Sequence, residues 1–94
     1  MRIVWLPSGR RTLKAQIDHI AEDSPRAAAR QLDRVEAATD RLADHPLSGR
    51  EGRTPGTREL VVPATPFIVV YAVRGEDLAV LRVLHGAQAW PPES

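Results

Sequence analysis

PFIVVYAVRGEDLAVLRVLH, residues 66 to 85, is the stretch whose reading decides the fold. Residues 67 to 73 are apolar at both parities, with Phe67, Val69, Tyr71 and Val73 alternating with Ile68, Val70 and Ala72. Successive side chains of a strand point to opposite faces, so a strand of this composition must be covered on both. The polar RGED that follows is short enough for a hairpin, and it returns the chain as a second apolar strand over residues 78 to 85. Working back from Phe67, the turn-rich PATP separates this pair from a third candidate strand, residues 57 to 62. Three consecutive strands with short connections predict antiparallel pairing.

One face of such a sheet needs a cover, and the N-terminal half supplies it. Residues 2 to 6, RIVWL, read as a short strand bounded by Pro7, Ser8 and Gly9. Ser8 is the expected cap of a helix whose Leu13, Ile17 and Ile20 fall on one stripe and which ends near Glu22. In the next signal, DSP, Ser24 stands at the N-cap and Pro25 at the first helical position, where a missing N–H costs nothing. The second helix turns Ala28, Leu32, Val35, Thr39 and Leu42 inward and stops before Pro46. So short a link predicts an antiparallel helical hairpin. Residues 44 to 56, DHPLSGREGRTPG, carry two prolines and three glycines without periodicity and read as an exposed loop. The expected architecture is α+β in the order β-α-α-β-β-β, with the hairpin packed on one face of a small, mainly antiparallel sheet. The other face is left for the chain's own termini or a partner.

Composition narrows the functional classes. Ninety-four residues predict a single domain spanning 1 to 94, with one modest core. There is no cysteine, hence no disulfide framework and no thiolate metal site. The N-terminal apolar run is too short for a signal peptide, no stretch approaches a membrane span, and the expected location is cytoplasmic. The formal net charge is +1, with seven basic and seven acidic groups in residues 8 to 44 and five of each in residues 45 to 94. Whole-molecule attraction to nucleic acid is therefore weak. Lys14 is the only lysine, so nearly all positive charge is guanidinium, suited to carboxylate or phosphate at fixed geometry.

Three constellations could carry chemistry. Arg50, Arg53 and Arg58 surround a glycine-flanked loop and could hold a phosphate or an acidic helix; they read equally as a solvated loop with Glu51 and Glu59 as local partners. Arg82 and His85 stand three residues apart on a strand, so they face opposite ways unless a bulge intervenes. His85 could transfer a proton at neutral pH, or serve as a structural group at a strand end. Trp5 reads as core, whereas Trp90, beyond the last strand, suits either core or partner contact. His19 and His45 are scattered without ligand spacing, and no metal or cofactor is expected. A phosphate-binding glycine loop and a nucleophilic triad both lack their residue contexts.

Taken together, the early tryptophan, the run IDHIAEDSPRAA, the loop HPLSGREGRTPGTREL, the strand PFIVVY and the end LRVLHGAQAWP resemble the RelE/ParE superfamily of bacterial type II toxin–antitoxin toxins, in order and over essentially the whole chain. The resemblance implies the same layout of strand, two helices and three strands. It also implies a hetero-oligomer with a small cognate antitoxin, ParD-like or RelB-like, whose C-terminal segment folds over the toxin. Two activities come with the superfamily. ParE-like members poison DNA gyrase; RelE-like members are ribosome-dependent, metal-independent endoribonucleases that cut mRNA with several basic residues and a C-terminal aromatic or histidine. The nuclease pattern has an arginine near Ile68 and basic residues after the last strand, where this chain has Gly86, Ala87 and Gln88. A nuclease would therefore depend on His85, Arg82 and Arg58, with Arg50 and Arg53 as further phosphate ligands. The expectation is accordingly a ParE-like, non-enzymatic growth inhibitor, with Arg50, Arg53, Arg58, Arg82, His85 and Trp90 contacting target or antitoxin. The ribosomal nuclease is the alternative, and a non-toxic binding module of the same fold the second.

Overall fold

The computed structural model describes residues 1 to 86. Strand β1 (Arg2–Trp5) is followed by helices α1 (Pro7–Asp23) and α2 (Pro25–Arg41), then by β2 (Arg50–Glu51), β3 (Arg58–Val61), β4 (Phe67–Arg74) and β5 (Asp77–His85). The sheet order is β1-β5-β4-β3-β2. Every neighbouring pair is antiparallel except β1 with β5, because the two helices carry the chain back over the sheet before the last strand returns beside the first. The α+β expectation and the antiparallel hairpins hold. The two-residue β2 was expected to be loop; it pairs Arg50 with Glu59 and Glu51 with Arg58.

Both faces of β4 are buried from Phe67 to Ala72, as the two-parity apolar pattern requires, whereas Val73, expected to be covered as well, is exposed where the strand runs out towards the hairpin turn. Phe67, Val69 and Tyr71 join Leu78, Val80 and Val83 of β5 beneath the helices, against Val35 and Ala38 of α2, its C-cap residue Leu42, and the α1 stripe Leu13, Ile17 and Ile20. Ile68, Val70 and Leu84 form a second cluster with Leu81 on the opposite face. The apolar spacing 78, 80, 83 skips a parity, and the ladder shows why. Val70 pairs with Arg82 but Tyr71 with Val80, so Leu81 is an extra residue in a β-bulge.

Helix α2 starts as expected, with the Ser24 hydroxyl accepting from the Ala27 N–H at 3.1 Å. Ser8 does not cap α1. The N-cap position is Leu6, Pro7 takes the first helical place, and Ser8, inside the first turn, donates instead to the Leu81 carbonyl at 2.7 Å. Gly9 is buried where α1 crosses β5, and a Cβ there would lie 2.5 Å from the Val80 carbonyl oxygen. Gly9→Ala must lift the helix off the strand. The expected result is a loss of about 1 to 2 kcal/mol of unfolding free energy in urea titration, the usual scale of overpacking. No change would mean that the helix is not seated this closely.

Among the described residues no helix is long and apolar enough to cross a membrane.

Candidate functional site

The sheet register determines which charged side chains share a face. On the surface away from the helices, pairing sets Arg50 opposite Glu59, Glu59 opposite Val70, and Val70 opposite Arg82. These four form one transverse row across β2, β3, β4 and β5. With neighbouring strands about 4.8 Å apart, the Cα atoms of Glu59 and Arg82 lie roughly 10 Å apart.

Glu59 anchors the arginine end of that row. Its side chain is 1% exposed, yet it remains charged because three donors converge on it. The Arg53 backbone N–H reaches Oε2 at 2.9 Å, while Arg53 Nε at 3.3 Å and the Arg50 guanidinium at 3.2 Å reach Oε1. Burial pushes the carboxyl pKa up, but the Arg53 backbone hydrogen bond, the Arg50 side-chain hydrogen bond and the charges of Arg53 and Arg50 outweigh it, leaving the value below the ordinary 4.5. Arg50 and Arg53 stay 58% and 38% exposed, so each presents part of its guanidinium to solvent while its carboxylate contact fixes its position. The sequence alone suggests no more for Glu59 than a local partner in a solvated loop, whereas the structure buries it. Its burial follows from its place opposite Val70, flanked on that face of β4 by the apolar Ile68 and Ala72.

Arg58 belongs elsewhere. It pairs with Tyr71 on the helix-covered face, and its guanidinium donates to the Gly49 carbonyl at 2.8 Å, tying down the loop before β2. His85 is on that face too, opposite Phe67, with the rings edge to face at a centroid distance of 6.4 Å. Arg82 and His85 thus point to opposite sides of β5, since the bulge precedes both. The structure brings Arg50, Arg53 and Arg82 onto one face and leaves Arg58 and His85 on the other. Trp90 lies outside the described residues. No group of three or more His, Cys, Asp or Glu among the described residues could hold a metal.

The second surface feature is a groove of about 370 Å³ between the two helices. Half-buried Trp5, Leu13, Ile17 and Leu32 contribute its apolar lining, and Arg10, Lys14, Asp18 and Glu36 its charged rim. Trp5, read as core, packs against the core and also lines this groove.

The domain thus combines two helices and five strands with an apolar groove on its helices and a row of arginines on the opposite side of its sheet. The family described as "ParE toxin of type II toxin-antitoxin system, parDE" matches residues 3–90, and the chain belongs to it. Among curated relatives, "Putative toxin Y4kP" of Sinorhizobium fredii is 42% identical, the match covering 96% of this chain and 93% of that protein. "Toxin RelE2" of Caulobacter vibrioides is 36% identical, over 93% of this chain and 97% of its own. The solved structure titled "Chromosomal ParDE TA system from P. aeruginosa" superposes with a TM-score of 0.80, at 24% identity over 90% of this chain and 95% of that one, and shares the fold.

Proposed function

We propose that this toxin arrests bacterial growth in the cytoplasm by poisoning DNA gyrase, and that a cognate antitoxin neutralises it in a hetero-oligomer. The observation that carries the gyrase reading is the separation of His85 and Arg58 from Arg82 by the thickness of the sheet. General acid–base cleavage of a phosphodiester needs a proton-transfer group and phosphate ligands around one reacting centre. These groups do not surround one. What the side away from the helices offers is a row buried at its middle, Glu59 and Val70, with guanidinium groups at both ends for binding: half-buried Arg82 at one, and Arg50 and Arg53 held by Glu59 at the other. The helical groove suits an amphipathic helix of the antitoxin, its apolar stripe against Trp5, Leu13, Ile17 and Leu32.

The name of the RelE2 relative favours a second reading, a ribosome-dependent mRNA endoribonuclease. Controlled expression of the full chain in bacteria separates the two. The expected result is filamentous cells with intact mRNA, cleaved plasmid when purified gyrase is added, relief by co-expressed antitoxin, and loss of growth arrest in Arg82→Ala. Codon-dependent cutting of mRNA on ribosomes, abolished by His85→Ala, would overturn the gyrase reading.

A further inference from the structure

Arg82 faces the arginine row only because β5 carries an extra residue. Extending the pairing of Tyr71 with Val80 without a bulge would set Leu81 opposite Val70 and Arg82 opposite Val69, in the core beneath the helices. The bulge therefore turns this guanidinium from one face to the other. A bulge also leaves backbone groups without ladder partners, and β5 has lost its outer neighbour here, because β1 ends at Trp5, opposite Val80.

The first turns of α1 fill that gap. The Leu6 N–H donates to the Val80 carbonyl at 3.1 Å, and the Ser8 hydroxyl to the Leu81 carbonyl at 2.7 Å. The Val83 N–H donates to the Thr12 hydroxyl at 2.9 Å, while that hydroxyl's own proton is shared between the Ser8 and Gly9 carbonyls at 2.8 and 3.1 Å. Two side chains from one helix thus bracket Arg82, one on the residue before it and one on the residue after. Neither is needed for the helix itself, since Leu6 is the N-cap position and Pro7 starts the first turn.

We infer that Ser8 and Thr12 are positioning residues for Arg82: their hydroxyls hold the β5 bulge in the register that delivers this guanidinium to the target-facing side of the sheet. The inference rests on the proposed use of that face. Its structural half stands independently, because the register can be read without any target.

Two measurements on the full chain test it. In a growth assay with graded induction, Thr12→Val raises the inducer level for half-maximal arrest about tenfold and Ser8→Ala about threefold, whereas Thr12→Ser, which keeps the hydroxyl, stays within twofold of the parent. Thr12→Val combined with Arg82→Ala is no weaker than Arg82→Ala alone, since both act through one side chain. By NMR, Thr12→Val shows faster Val83 amide exchange and a weakened cross-strand contact between Val70 and Arg82, and Thr12→Ser restores both. Should Thr12→Val fail to fold, Ser8→Ala carries the same comparison. Retention of the Val70 contact in Thr12→Val overturns the inference, as does additivity with Arg82→Ala, or failure of Thr12→Ser to rescue. Full toxicity of Arg82→Ala would instead count against the proposed target face, and the NMR arm would still decide whether the hydroxyls set the register.

Discussion

Tyr71→Ala is expected to remove about 3 to 5 kcal/mol of unfolding free energy, the usual range for deleting a buried aromatic side chain. A chain of 94 residues has roughly 5 to 14 kcal/mol in total, so the variant should sit near the edge of folding. The ring is fully buried on the helix-covered face and belongs to the main core cluster. Its hydroxyl does separate work. It donates to the Pro46 carbonyl at 2.8 Å and accepts from the Gly49 N–H at 2.9 Å, stapling the segment between α2 and β2 to the centre of the sheet. Gly49 is buried against this phenol, where a Cβ would lie 2.6 Å from the oxygen. Tyr71→Phe keeps the ring and leaves both backbone groups without that partner, which should cost about 1 to 3 kcal/mol. Urea titration of both variants, read with a common slope, separates core from staple. A Tyr71→Phe variant within about 0.5 kcal/mol of the parent, below that penalty, would mean that water replaces the hydroxyl and the loop is held by other contacts.

The elements were legible because their signals are local. The two parities of residues 67 to 73, the stripe of α1 and the DSP start of α2 each need only a short window, and each appears where those windows predict it. What escaped reading depends on pairing between distant segments. Strand β2 is two charged residues, without apolar pattern, and exists because β3 offers it an edge. Ser8 resembles a helix cap in isolation; its real partner is 73 residues away, on a bulge. The bulge itself left a trace, since inward apolar positions run 78, 80 and then 83. That skip could have been read as an inserted residue, though only after deciding which parity faces the helices. The candidate site was half legible for the same reason. The arginines were visible, but which of them share a face is a matter of register, and one residue of slip exchanges the faces.

Glu59 offers the sharpest test of how the arginine end of the row is organised. Glu59→Gln is nearly isosteric and removes the charge that Arg50 and Arg53 meet, so at neutral pH it should lower stability by about 2 kcal/mol, the scale of hydrogen bonds to a charged group. The partners are half in water, and salt will screen part of that contribution. The pH dependence distinguishes this from ordinary loss of packing. The folded-state pKa of Glu59 is depressed below 4.5, so its contribution is complete above 4.5 and is lost as pH falls through the folded value. Other carboxylates titrate in the same range, but they are common to both proteins. The stability gap between parent and Glu59→Gln should therefore stay constant from neutral pH down to about 4.5 and close below it. A gap that persists unchanged in acid would assign Glu59 a steric role. A gap that closes means that the carboxylate charge holds Arg50 and Arg53 in place. The same variant should then blunt growth arrest while leaving intact the antitoxin binding proposed for the helical groove, because the two surfaces lie on opposite sides of the sheet.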